Sequence, residues 1–168
     1  LSEFMLQQTT VKTVIPYFIN FLEKYSTIEI LAKAKLDHVL AIWSGLGYYR
    51  RANNLYKSSK IIINELNGVI PNNYEDLIKL PGIGDYTASA IASICFGQEH
   101  AVVDGNVYRV LSRIFGLVQP IDVGSSYRIY KEKAQCLMKG AAPGDFNQAM
   151  MEFGALQCIP KNPNCQDC

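Results

Sequence analysis

The sequence predicts an all-α fold. Apolar residues recur at three- and four-residue spacing along most of the 168 residues. Alternating strand patterns are nearly absent, and Ala101-Val102-Val103 is too short to anchor a sheet. The periodic stretches are separated by glycine, proline and asparagine, the residues that end helices.

The elements follow in order. Residues 1–8 place Glu3 beside Phe4, Met5 and Leu6, so its carboxyl enters an apolar setting. Val11, Ile15, Phe18 and Leu22 mark a helix from about Thr10, which Pro16 should kink or start late. Ser26 with Glu29 forms a capping-box pattern for a short helix. Leu36, Val39, Leu40 and Trp43 share the next helical face, which Gly45-Leu46-Gly47 breaks. Tyr49, Ala52, Tyr56, Ser59, Ile63 and Leu66 trace a longer helix, stopped by Asn67-Gly68 and Pro71. Tyr74 to Leu80 is a short helix. Helices Asp85 to Phe96, about Gly105 to Phe115, about Ser126 to Met138 and Asp145 to Leu156 complete the chain, with the loop after Gly97 as a crossing between lobes.

The bulk numbers exclude some classes. At 49% apolar and 18% charged the composition is that of a soluble globular protein, long enough for one sizeable domain or two small helical lobes around a cleft. A net charge of +1 excludes nucleic-acid binding by bulk positive charge, so any DNA contact must come from locally placed Lys, Arg and backbone N–H groups. Arg50, Arg51 and Lys57 offer phosphate contacts or a merely solvated face. No run of 18 apolar residues exists, so no membrane span is expected. Both ends read as cut, Leu1 entering an apolar run and Cys168 closing a cysteine cluster.

Two stretches carry chemistry. Leu80-Pro81-Gly82-Ile83-Gly84 opens a helix at once. Gly82 and Gly84 are spaced for a turn needing φ > 0 and close backbone approach. Such a turn either presents free helix N–H groups to a phosphate oxygen or makes a plain helix–helix corner. Downstream, Asp104 puts a lone carboxylate at the start of a helix, as an N-cap and a candidate catalytic group.

Of the five cysteines, three crowd into the last eleven residues, as Cys158-x6-Cys165-x2-Cys168. An odd number so clustered argues for a metal or cluster site in a reducing compartment rather than a disulfide framework. Zinc and an iron–sulfur cluster both suit the spacing. Cys95 and Cys136 read as ordinary buried thiols.

Leu80-Pro-Gly-Ile-Gly-x-x-Thr-Ala88 resembles the helix-hairpin-helix of the endonuclease III superfamily of DNA glycosylases, in which an aspartate follows at the mouth of the next helix, where Asp104 stands. Ser2-Glu3-Phe4-Met5-Leu6-Gln7-Gln8-Thr9, Trp43-Ser44-Gly45-Leu46-Gly47-Tyr48-Tyr49, Asp104-Gly105-Asn106-Val107 and Phe146-Asn147-Gln148-Ala149-Met150-Met151 resemble the adenine DNA glycosylases of the MutY type. With the cysteines, the likeness covers the whole chain.

The resemblance implies a helix-hairpin-helix glycosylase fold, with two helical lobes flanking a cleft: approximately 12–117 as one, and 1–11 plus 118–168, with the cysteine loop, as the other. It implies a base-excision repair hydrolase that flips adenine, mispaired with 8-oxoguanine or guanine, out of double-stranded DNA. The logic is that of a glycosidase, one acid and one carboxylate about an oxocarbenium-like transition state. Glu3 then protonates adenine at N7 and activates water. Asp104, facing it across the cleft, stabilises the sugar cation, by its charge or through a covalent intermediate. Tyr86 stands where bifunctional relatives carry the Schiff-base lysine, 18 residues before Asp104. A phenol cannot take that role, so the resemblance implies a monofunctional enzyme. Tyr86 and Asn106 hydrogen-bond near Asp104, Gln8 enters the vacated position, Tyr48 intercalates beside the 8-oxoguanine, and Gln148 contacts adenine. Gly82 and Gly84 hold backbone phosphate. Cys158, Cys165 and Cys168 are three of four thiolates on a structural [4Fe–4S] cluster, the fourth falling just beyond Cys168. A monomer is expected, cytoplasmic and nucleoid-associated if bacterial. The rivals are a bifunctional glycosylase/lyase of the same superfamily and a non-catalytic helix-hairpin-helix DNA-binding module.

Overall fold

The architecture comes from a computed structural model, which describes residues 1–120 and 123–168. Every regular element among them is helical: α1 (Ser2–Met5), α2 (Val11–Lys24), α3 (Ile28–Lys33), α4 (Leu36–Ile42), α5 (Arg50–Glu65), α6 (Tyr74–Leu77), α7 (Asp85–Phe96), α8 (Gly105–Phe115), α9 (Gly124–Met138) and α10 (Pro143–Leu156). None of these helices is long and apolar enough to cross a membrane.

The chain forms two compact units, Leu1–Pro71 with Glu75–Thr87, and Asn72–Tyr74 with Ala88–Cys168. The lobes expected from the sequence, 12–117 against 1–11 plus 118–168, divide the chain elsewhere. α1 packs on α2 and α5, which draws residues 1–11 into the first unit, and α8 packs on α10 and α9, which draws Gly105–Phe115 into the second. The boundary falls inside α7, between Thr87 and Ala88, rather than in the loop after Gly97.

In the first unit, α3 and α4 pack on α5. Phe21, Val39, Trp43, Ala52 and Leu77 are buried, with the Phe21 and Trp43 rings edge-on at 6.1 Å. Pro16 lies inside α2, which begins at Val11, so it does not delay the helix start. The cap of α3 is Thr27 rather than Ser26: its Oγ1 accepts the Ile30 N–H at 3.4 Å. The chain leaves α5 through Asn67 and Gly68, both left-handed, and the Gly68 N–H reaches back to the Ile62 carbonyl.

In the second unit, Ala101, Val103, Val107, Leu111, Tyr130, Ala134 and Met138 form one buried cluster, so the strand-like Ala101-Val102-Val103 run is a core connection. Cys95 and Cys136 are exposed, contrary to the sequence expectation. Cys95 lies in the last turn of α7, where Ile94 and Phe96 are exposed as well, and Cys136 lies on α9 between the buried Ala134 and Met138.

Candidate active site and nucleic-acid interface

Asp104 is delivered by the buried segment Ala101–Val103 and stands at the N-cap of α8. Its Oδ1 accepts the Val107 backbone N–H at 2.8 Å, and its Oδ2 accepts a hydrogen bond from Asn106 Nδ2 at 3.0 Å. The half-buried carboxylate is thus held at both oxygens. Behind it, Arg109 Nη2 donates to Asn106 Oδ1 at 2.8 Å and to the Gly154 carbonyl at 2.5 Å, and Nε donates to the Cys158 carbonyl at 2.7 Å. Gly154 is the close-approach point of α10 on α8: a Cβ there would lie 2.7 Å from Asn106 Cβ and 2.9 Å from its carbonyl oxygen.

The segment before Asp104 is fixed by Asn147, only 1% exposed. Its Oδ1 accepts the Val102 N–H at 2.8 Å, while Nδ2 donates to Ser93 Oγ at 2.8 Å and the His100 carbonyl at 2.9 Å. A buried amide with these bonds satisfied locks α10, α7 and the 100–103 connection together. Asn147 and Arg109 were not singled out from the sequence. The available signal was a polar residue inside the apolar run Phe146–Met151, and an arginine one helical turn after Gly105.

Glu3 lies in α1 of the first unit, half-buried, with Phe4 and Met5 buried beside it. Burial pushes its carboxyl above the ordinary range. After α1 the chain turns through Gln7 and Gln8. Gln7 Nε2 donates to the Gly82 carbonyl at 3.2 Å and to Thr87 Oγ1 at 3.4 Å, tying this turn to the glycine hairpin. Gln8 is exposed and has φ +58°.

In the hairpin only Gly82 needs the left-handed region, at φ +80°; a Cβ on it would strike the Asn54 side chain at 2.6 Å. Gly84 is not at positive φ, a correction to the expectation that both glycines are, and among the described residues beyond its chain neighbours no atom lies within 4 Å of a Cβ placed there. Its open, exposed backbone leads straight into α7. Tyr86 is half-buried on the first turn of that helix.

Tyr48 is 60% exposed, at φ +47°, directly after the Gly45-Leu46-Gly47 break. Arg50 and Lys57 are also exposed, but Arg51 is not: it is 5% exposed and bonded to backbone carbonyls, so it is no phosphate contact. Gln148 is exposed on α10.

The three clustered thiols lie in the second unit beyond α10. Arg113 binds their loop, with Nη1 on the Ile159 carbonyl at 2.8 Å and on Cys158 Sγ at 3.2 Å, and Nη2 on the Pro160 carbonyl at 3.0 Å. The donor chemistry suits a thiolate-held metal. Among the described residues, however, no three His, Cys, Asp or Glu side chains are gathered as metal ligands.

A family model described as the HhH-GPD superfamily base excision DNA repair protein matches residues 1–139. The chain is 46% identical to the adenine DNA glycosylase of Buchnera aphidicola subsp. Schizaphis graminum, an alignment covering 100% of the chain and 48% of that protein. It is 47% identical to the adenine DNA glycosylase of Homo sapiens, covering 99% of the chain and 31% of the relative. The chain thus spans about half or less of the length of these curated relatives. Among solved structures, a thermostable thymine-DNA glycosylase superposes with TM-score 0.90 at 31% identity, covering 99% of the chain and 77% of that protein. Endonuclease III in a non-covalent DNA complex superposes with TM-score 0.81 at 27% identity, covering 98% and 76%.

Proposed function

The chain belongs to the HhH-GPD superfamily of base excision DNA repair proteins, and from that membership we propose that it is the core of an adenine DNA glycosylase. Its substrate is adenine mispaired with 8-oxoguanine or guanine in double-stranded DNA. The observation that carries the reading is the doubly hydrogen-bonded Asp104 carboxylate at the mouth of α8. It sits in a chain whose full length aligns with adenine DNA glycosylases.

The chemistry follows from the two carboxyl groups. Adenine leaves poorly as an anion, so a proton must reach its ring. Glu3, its protonated form favoured by burial, gives that proton to N7. The bond from the sugar C1′ to N9 breaks, and its electron pair goes to the base, which departs neutral. Asp104 stabilises the oxocarbenium ion left on the sugar. Water adds to C1′ and its proton goes to the Glu3 carboxylate, closing the cycle. Asn106 keeps Asp104 oriented through these steps. Tyr86, having no amine, leaves the reaction at hydrolysis.

The target base is reached by flipping. Gln8 and Tyr48, both exposed at turns, enter the duplex, and stacking of one aromatic on a base contributes about 1–3 kcal/mol. Gly82, Gly84 and the start of α7 hold a backbone phosphate without reading sequence. Gln148 meets the adenine edge. Cys158, Cys165 and Cys168 supply three thiolates of a structural [4Fe–4S] cluster, a reading that the family resemblance supports where the spacing alone admits zinc as well, and that an iron and sulfide assay of the full-length protein tests.

The deciding experiment is adenine release from a duplex with one A:8-oxoguanine pair, comparing the full-length protein with Glu3→Gln. Loss of release with retained duplex binding supports the assignment. Equal rates refute it.

A further inference from the structure

Gln8 and Tyr48 share an unusual backbone. Both have positive φ, +58° and +47°. The other non-glycine residues at positive φ among the described residues are Asn67 and Asn162. Asparagine tolerates that conformation through local hydrogen bonds, whereas glutamine and tyrosine hold it only when their surroundings impose it.

Arg51 touches both turns. Its Nη1 donates to the carbonyls of Met5 and Gln7, each at 2.5 Å, and of Phe4 at 3.4 Å. Its Nη2 donates to the carbonyls of Gly47 at 3.2 Å and Leu46 at 3.4 Å. The Gln7 carbonyl belongs to the peptide plane leading into Gln8, and the Gly47 carbonyl to the plane leading into Tyr48. Rotation of those planes sets the two φ angles. The Trp43 indole N–H donates to the same Gly47 carbonyl at 3.1 Å. The guanidinium carbon lies 5.6 Å from the Trp43 ring centroid and 5.3 Å from that of Tyr48, so an exposed tyrosine rests on a buried cation. Among the described residues Arg51 Nε has no partner, so the guanidinium is held through Nη1 and Nη2, each on its own set of carbonyls.

We propose that Arg51 is a positioning residue whose single guanidinium fixes the Gln8 turn and the Tyr48 turn together, making one rigid two-pronged wedge for the duplex. The role rests on the reading that these two side chains enter DNA. The planar fork is what makes it work: a lysine ammonium keeps the charge but cannot span two sets of carbonyls.

The test uses the full-length protein and a duplex carrying 2-aminopurine in place of the target adenine, opposite 8-oxoguanine, whose fluorescence follows extrusion. Adenine release from the unmodified duplex is measured beside it. Arg51→Lys is expected to slow extrusion roughly tenfold to a hundredfold. In a Gln8→Ala/Tyr48→Ala background the same change should alter it less than about twofold, because the groups it acts through are gone. An equal slowing in both backgrounds, or none in the first, overturns the role while adenine release still upholds the functional reading. No release by the unaltered protein overturns both. Should Arg51→Lys fail to fold, Gly47→Ala provides a second arm, since no atom lies within 4 Å of a Cβ there and the strain enters at the Tyr48 turn alone. Faster amide exchange at both 45–49 and 6–9 supports the shared clamp. A change confined to 45–49 overturns it.

Discussion

Asn106 donates its side-chain amide to Oδ2 of Asp104 at 3.0 Å, from two residues further along the chain. Which end of that amide faces the carboxylate is decided by Arg109, a donor only, which occupies Asn106 Oδ1 at 2.8 Å. Asp104 therefore serves at once as helix cap and as an oriented carboxylate, and the two duties are separable by substitution.

Asp104→Asn keeps a good capping side chain and removes the charge. Its oxygen still accepts the Val107 N–H, but its NH2 then faces the Asn106 amide donor, so it should lose less stability than Asp104→Ala does, while adenine release falls on the order of a hundredfold or more. Asp104→Ala should lose activity similarly and also about 0.5–2 kcal/mol of stability, as the Val107 N–H loses its acceptor. Denaturant melts beside single-turnover rates separate the two; a stable, fully active Asp104→Asn would refute the catalytic role.

Glu3→Gln should lower the rate by roughly 10²–10⁴. Because burial raises the Glu3 pKa, the folded protein binds more protons than the unfolded chain between the unfolded and folded values. Stability from this group is complete below the unfolded pKa and is lost as pH rises through the folded one. Glu3→Gln should therefore be more stable than the unaltered protein at neutral pH, with the difference vanishing at low pH. Thermal melts across a pH series check this, and an identical pH profile for both proteins contradicts it. The rate of the unaltered protein should fall over the same upper window.

Gly154→Ala should cost about 1–3 kcal/mol and reduce activity together. The added carbon meets Asn106 Cβ at 2.7 Å and its backbone oxygen at 2.9 Å, so helix α8 rather than a flexible side-chain tip must give way. Native stability and rate in this variant would show that the helices separate without consequence.

Tyr86 carries no amine, so borohydride should trap no covalent complex with DNA under conditions where adenine is released. Appearance of a trapped adduct on denaturing gels would move the assignment to the bifunctional rival.

Much of the fold was legible because it is local. Asp85–Phe96 and Gly105–Phe115 have the boundaries their periodicity and glycine stops suggest, since a helix is set by propensity, apolar spacing and an end signal within a few residues. The Asp104 cap was readable for the same reason. Thr27 in place of Ser26 shows the limit: two adjacent hydroxyls give one pattern, and only backbone geometry selects between them.

The sequence by itself determined the all-helical class, the glycine turn into α7, the Asp104 cap and the helix break before Tyr48, and through its family resemblance it pointed to Glu3. Tertiary structure decided what neighbouring residues in sequence cannot: that Arg51 is a buried brace rather than a phosphate contact, that Cys95 and Cys136 face outward, and that Asn147, Arg109 and Gly154 support the Asp104 helix. The Arg51, Asn147 and Arg109 contacts among these join residues 44 or 45 positions apart. A charge or amide is placed by whichever distant carbonyls are left unpaired around it, and no local pattern records where those carbonyls will meet.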